Sequence, residues 1–281
     1  MKEPIGAALL AEVGHELERA ARQLARPGEE RHDGIHQARK SVRRVRAVLA
    51  LGGAAFAESA PVRRIDAGLR SLCRGLSCLR DADALRDALL QLESDAVLGP
   101  IECERLCAFV AALRARRLAA ALARDPDFAR RRARLQVALA RVGGLPWGSV
   151  DAAAVRAAHA DSVDRLGKAL KRARRSEDPE DWHRLRRRLR RLRQQESALA
   201  RRAPALGLHT EGIGELAERM GRAQDHALLL AHCQRSGVFA ARDRANLRRL
   251  VQPLYDAARA HAAQALSAAR QGAVAASGSS V

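Results

Sequence analysis

The sequence predicts an all-α protein organised as two repeated halves, and three observations predict it. Alanine, leucine and arginine dominate a chain of 281 residues in which aromatic residues make up 2%. Summed propensity therefore favours helix almost throughout, and β-branched residues are too scarce for a sheet. Apolar positions recur at helical spacing along most of the chain. A strongly basic segment occurs twice, and an internal repeat is the signature of a duplicated structural unit.

Taken in order, Leu9, Leu10, Val13, Leu17 and Leu24 mark a first helix over residues 5–26, closed by Pro27-Gly28. A basic helix follows over 29–51 and ends at Gly52-Gly53. A third begins near Pro61, whose missing N–H suits a first turn, and turns Ile65, Leu69, Leu72 and Leu76 inward. Arg80-Asp81-Ala82-Asp83 reads as the opening of the next helix, with a carboxylate capping free N–H groups. The functional alternative is that Asp81 or Asp83 holds a neighbouring arginine or binds Mg²⁺ with phosphate; the loss of the second carboxylate at Ala227 weighs against a two-metal site. A long helix over 100–124 is broken by Asp125-Pro126-Asp127 before the pattern resumes over 128–142. The run Arg130-Arg131-Arg132-Ala133-Arg134 wraps round that helix and reads as a solvated face.

Residues 143–149, Gly-Gly-Leu-Pro-Trp-Gly-Ser, read as a linker, so the first half is 1–142 and the second 150–272. The second half repeats the order: a helix over 151–174, an acidic turn, an arginine helix to 202, a break over 204–207, short helices over 211–221 and 225–235, and a final helix over 238–270 containing Pro253. Residues 273–281 are small and polar enough to be a disordered tail.

The more basic copy of the repeat, residues 183–193, carries seven arginines, one histidine and no acid. At about 100° per residue, Leu185, Leu189 and Leu192 form one stripe, while His183, Arg186, Arg187, Arg190, Arg191 and Arg193 share the opposite half. Residues 36–46 repeat the arrangement: His36, Arg39, Lys40, Arg43, Arg44 and Arg46 pair in turn with those six, and Ala38, Val42 and Val45 take the places of the leucines. One face packs and the other presents positive charge.

The pattern H-x-x-R-K/R-x-x-R-R-x-R, present twice and each time followed by a segment such as Leu76-Ser77-Cys78-Leu79-Arg80-Asp81-Ala82-Asp83-Ala84-Leu85, resembles the CHAD family of histidine-containing α-helical domains. The resemblance spans nearly the whole chain. It implies two four-helix bundles related by a pseudo-two-fold axis, with basic helix faces lining a shared groove or pore that binds inorganic polyphosphate. The implied contacts are His36, Arg39, Lys40, Arg43, Arg44, Arg46, His183, Arg186, Arg187, Arg190, Arg191 and Arg193, with Arg80 from the downstream segment. Arg39, Arg43, Arg186 and Arg190 are expected to point into one groove. The second copy departs from the pattern downstream, where Asp225 is kept but Gln224 replaces the arginine and Ala227 the second aspartate. The resemblance also implies a bacterial cytoplasmic location at polyphosphate granules.

A net charge of +19, carried mainly by arginine, independently favours a polyanion. The guanidinium is a planar fork matched to phosphate oxygens and stays charged in any pocket. Nonspecific nucleic-acid binding is the rival reading, although two Trp, one Tyr and four Phe, none interleaved with the basic stripes, make no base-stacking platform. Reaction machinery is scarce: no phosphate loop, nucleophile elbow or complete H-E-x-x-H occurs. His32-Asp33 would need His15, His159 or His226 to build a metal phosphohydrolase, and no spacing argues for it. His36 and His183 read either as phosphate donors or as histidines packed between helices. The five cysteines contain no C-x-x-C pair, and Cys103 and Cys107, one turn apart, find no histidine pair to complete a zinc site. No catalytic residue, metal or cofactor is expected. No stretch approaches the ~18 apolar residues of a membrane span, and Glu12, Glu16 and Glu18 interrupt the first apolar run before a signal-like core forms.

Overall fold

Helix dominates the computed structural model, which describes residues 3–57, 59–176, 178–234 and 238–278, and no strand occurs among them. In chain order the helices are α1 (Ile5–Leu24), α2 (Glu30–Leu49), α3 (Gly53–Ala57), α4 (Ala60–Gly75), α5 (Ser77–Ser94), α6 (Pro100–Arg124), α7 (Ala129–Gly143), α8 (Ala152–Arg175), α9 (Pro179–Arg202), α10 (Ile213–His232) and α11 (Ala241–Gly278). Packing divides the chain into two compact units. The first comprises Met1–Arg80, Ala119–Ala169 and Arg187–His209, and the second Asp81–Leu118, Leu170–Arg186 and Thr210–Val281. Each unit therefore draws on both 1–142 and 150–272, and the division falls inside α5, α6, α8 and α9.

In the first unit α1 and α4 each pack on both α2 and α7, closing a four-helix bundle. Its centre is the apolar stripe of each helix: Leu9, Val13 and Leu17 of α1, Val42 and Val45 of α2, Leu69 and Leu72 of α4, and Leu135 of α7 are all 2% exposed or less. Burial of each such side chain contributes roughly 1.5–3 kcal/mol. The turn after α1 uses Gly28 at φ 52°, and α2 then crosses α1 so closely that a Cβ on Gly34 would lie 2.2 Å from the Gln23 carbonyl oxygen. Gly34 is thus required by the approach of two helices.

The break after α6 is held by Asp125, which is 4% exposed. Its carboxylate accepts from the Arg130 backbone N–H at 2.8 Å and pairs with Arg131 at 2.6 Å. Asp127 and Phe128 adopt left-handed φ of 46° and 53°, and the fully buried Phe128 ring receives the Arg131 guanidinium at 5.3 Å. Arg131 is therefore a structural residue and not part of a solvated face, because a buried carboxylate needs a partner. Residues 143–149 are also structured: Trp147 is 5% exposed, donates its indole N–H to Val142 O at 2.8 Å and packs edge-on against Phe56 at 4.9 Å.

The second unit has its own core, in which Leu85, Leu89 and Leu92 of α5 meet Leu106 and Val110 of α6, Leu229 of α10, and Phe239, Leu247 and Val251. Two polar ties join α6 to α11: Arg105 grips Asp243 through both oxygens at 2.9 and 2.7 Å, and Asn246 donates to Glu102 at 2.9 Å.

Three expected boundaries differ. Helix α5 begins at Ser77, so Asp81 lies inside it and does not cap it; Arg80 N–H already bonds to Leu76 O at 3.3 Å, carrying helical geometry through the joint with α4. The short helices expected over 211–221 and 225–235 are one helix, α10, since Asp225 is exposed and can sit mid-helix; residues 235–237 lie outside the described residues. Helix α11 runs to Gly278, into the stretch 273–281 expected as a tail, of which 279–281 lie outside the described residues.

Candidate functional site

The phase of the two basic helices follows from their small apolar residues. Ala38, Val42, Val45, Leu185, Leu189 and Leu192 are at most 1% exposed, which turns the arginines of each copy to the other side. That side is only partly open: His36, Arg39, Arg43, Arg44, Arg46, Arg190 and Arg191 are half-buried, while Lys40, Arg187 and Arg193 are exposed.

The first unit brings the two copies together. Gln195 of α9 is fully buried and donates to Ala47 O of α2 at 3.3 Å, fixing α2 beside the later turns of α9. The Cys73 thiol reports what converges there. Burial pushes its pKa up, against the opposing positive charges of Arg39, Arg43, Arg46 and Arg190, three from one copy and one from the other. Arg191 carries the same signature. Burial first, then the neighbouring charge of Arg46, push its pKa down, with Asp66 opposing. Like charges held this close and partly out of water raise the potential that an anion would meet.

Some of the expected contacts are already occupied. Arg44 pairs with Glu16 at 2.8 Å, and Arg46 takes both oxygens of Asp66 at 2.6 and 3.2 Å, with Arg70 adding a third bond at 2.8 Å. Burial alone would raise the Asp66 pKa; the hydrogen bonds and charges of Arg46 and Arg70 outweigh it and the net shift is down. Arg39 donates to Cys73 O and, at 2.9 Å, to Ser77 Oγ. At the end of α9, Arg201 and Arg202 clamp Glu12 at 2.5 and 2.8 Å, and together they lower its pKa despite burial. Glu12, Glu16, Asp66, Cys73 and Ser77 were not foreseen as neighbours of the basic helices. A signal did exist: Glu12 and Glu16 lie on the buried face of α1, where an acid requires a cation.

The two motif histidines have different surroundings. His36 is held below the ordinary histidine range by burial first, then by the charges of Arg80, Arg43 and Lys40, with Asp33 opposing. Arg80 therefore joins the same cluster from the start of α5. His183 and Arg186 belong to the second unit, where His183 Nδ1 lies 3.3 Å from Gln224 Oε1. A carbonyl oxygen can only accept, so Nδ1 carries the proton. The downstream segment thus bears on its histidine in both copies, through the charge of Arg80 in the first and the hydrogen bond of Gln224 in the second.

Asp83 is engaged by Arg114 at 2.6 Å, His159 by Glu196 at 3.1 Å, and the Cys103 and Cys107 sulfurs lie 3.9 Å apart. Among the described residues no group of three or more His, Cys, Asp or Glu side chains could hold a metal ion, and no helix is long and apolar enough to cross a membrane.

A family model described as CHAD domain matches residues 8–202. The solved structure of PptA from Streptomyces chartreusis is similar in fold, with a TM-score of 0.64 at 19% sequence identity, covering 96% of this chain and all of that one. No curated protein matches the chain in sequence.

Proposed function

The chain belongs to the CHAD family, and we propose that it binds inorganic polyphosphate on the basic faces of α2 and α9. The observation that carries the reading is that α2 lies beside the later turns of α9, where Gln195 donates to Ala47 O at 3.3 Å, and Arg39 donates to Cys73 O; the charges of Arg39, Arg43, Arg46 and Arg190 all bear on the Cys73 thiol, which supports a shared basic cluster. A polymer with one charge per phosphate answers such a cluster better than a single small anion, since several charge-assisted bonds form along one chain. Within the expected contact set, Arg44 and Arg46 act as scaffold through Glu16 and Asp66, and the direct contacts are assigned to His36, Arg39, Lys40, Arg43, Arg80, Arg187, Arg190, Arg191 and Arg193. His183 and Arg186 are assigned as polyphosphate contacts of the second unit. The finer parts of the proposal are that the basic helices descend from two tandem bundle repeats related by a pseudo-two-fold, that the protein associates with polyphosphate granules, and that it binds without turnover.

The test compares two charge-matched pairs by titration with long-chain polyphosphate at fixed salt. Arg43→Ala with Arg190→Ala removes two charges from the convergence; Arg116→Ala with Arg124→Ala removes two from exposed positions of α6. At about 1.5–3 kcal/mol for each charge-assisted bond, the first pair is expected to lose a hundredfold or more and the second only a few-fold. Equal losses would assign binding to the overall field of a protein of net charge +19. Competition of bound polyphosphate by duplex DNA at equal phosphate concentration decides between the polymers, and displacement at parity would favour nucleic acid.

A further inference from the structure

A pocket of about 230 Å³ opens in the second unit beside the first turns of α9, lined among others by Trp182, His183, Arg186, Gln224, Tyr255 and Arg259. Three helices wall it: α9, α10 and α11. Helix α10 contributes the apolar Met220, Ala223 and Ala227 besides Gln224, and one carboxylate, Glu180, stands among its lining residues.

Arg259 is the unusual member. Its guanidinium lies 4.9 Å over the Trp182 ring and 5.5 Å from the Tyr255 ring centre, and it has no acid or hydrogen-bond partner among the described residues. A guanidinium held over aromatic rings by its charge keeps N–H donors available to a further acceptor. Trp182 is 8% exposed, and its indole N–H also lacks a partner among the described residues. His183 completes the set. With Nδ1 turned to Gln224, neutral His183 presents Nε2 as a hydrogen-bond acceptor, and protonated His183 presents it as a donor.

These features suit one part of a phosphate polymer better than the rest. An interior phosphate residue carries one ionised oxygen and is joined on both sides, whereas a terminal one is joined on one side only and has a second ionisable oxygen. A terminal P–OH can donate to Nε2, and a doubly ionised terminus takes an added bond from Arg259. Resting on the polyphosphate reading above, we infer that this pocket receives the terminal phosphoryl group of the chain, with Arg259 as its principal ligand and Arg186 and His183 beside it.

The decisive comparison is between linear tripolyphosphate and cyclic trimetaphosphate, which has as many phosphates and no end. Titration calorimetry of the full chain is expected to favour the linear form by roughly tenfold or more. Arg259→Gln is expected to remove that preference, and Arg259→Lys, which keeps the charge but loses the planar fork, to remove most of it. Arg116→Gln, an equal loss of charge from an exposed position, is expected to keep it. A nucleoside triphosphate has a single free end and is expected to bind more weakly than tripolyphosphate. Tighter binding of the nucleotide, sensitive to Arg259→Gln, would assign the pocket to an organic phosphate and overturn the inference. So would equal binding of linear and cyclic forms by the unmodified protein, or equal losses in Arg259→Gln and Arg116→Gln. Long-chain polyphosphate in the same buffer keeps the two readings apart. If the unmodified protein fails to bind it, the polyphosphate reading falls; if it binds without an end preference, only the pocket assignment falls.

Discussion

His183 donates a hydrogen bond from Nδ1–H to Gln224 Oε1 at 3.3 Å, at the point in the repeated motif where His36 meets the positive charge of Arg80. One downstream residue polarises its histidine by accepting a hydrogen bond; the other disfavours the protonated ring. Gln224 stands where the first copy has Arg80, so the downstream residue acts on its histidine through a hydrogen bond in one copy and through charge in the other.

The pH response of His36 follows. Its folded-state pKa is below the ordinary histidine value, so the unfolded chain takes up the proton first as pH falls. Stability is fully present above the ordinary histidine range and declines as pH drops through that range toward the folded pKa. Arg80→Gln removes one cause of the depression, and the His36 ring resonance followed by NMR should then titrate at higher pH. A bound polyanion opposes the same arginine charges, so affinity for long chains should rise as pH is lowered from neutrality into the histidine range. An unchanged His36 titration in Arg80→Gln would remove Arg80 from the cluster.

Glu12 is 3% exposed and clamped by Arg201 and Arg202. Glu12→Gln keeps the shape and removes the charge, and urea denaturation should show a loss of about 1.5–3 kcal/mol at neutral pH. Because the folded pKa of Glu12 is lowered, its contribution is present above the ordinary carboxylate range and lost as pH falls through the folded pKa. The gap between the two proteins should therefore close in acid. A gap independent of pH would mean that packing, and not charge, sets the cost.

Arg131→Ala separates structural from ligand-binding arginines. It leaves the buried Asp125 carboxylate without its 2.6 Å partner, so thermal unfolding should shift down by the equivalent of about 1–3 kcal/mol. Polyphosphate affinity, measured where the variant is fully folded, should stay within a few-fold of the unmodified protein. A loss as large as that of the Arg43 and Arg190 pair would place Arg131 in the binding face.

Affinity should also climb steeply from orthophosphate to long chains and then level off, because a cluster spread over two helices engages several phosphates at once. It should fall as salt rises, since neutralised phosphates release counterions. Orthophosphate binding as tightly as the polymer would contradict a multi-phosphate face.

What the sequence reveals here depends on the range of the interaction. The stripes Ala38-Val42-Val45 and Leu185-Leu189-Leu192 could be read because helix periodicity is local, and they set the phase of every arginine on the same helix. Which arginines are spent on acids could not, since Arg44 and Glu16 are separated by 28 residues and Arg46 and Asp66 by 20. The break expected between 221 and 225 does not occur, because the apolar pattern of α10 runs through it, with Met220, Ala223 and Leu229 all buried. Arg259 gave no signal at all, because its meaning depends on two aromatic rings of which Trp182 lies in another helix.

Trp147 sits in the stretch that glycine and proline mark as a seam between the repeats. Yet a Cβ on Gly6 would come within 1.9 Å of the Trp147 carbonyl oxygen, and the Trp147 ring is seated on Phe56. The seam is a clasp between the start of the chain and its middle. Because each compact unit draws on chain from both sides of this stretch, cutting the polypeptide there is not expected to free two modules. A stretch whose composition marks it as a place to divide the chain is instead one of the places where the fold is fastened.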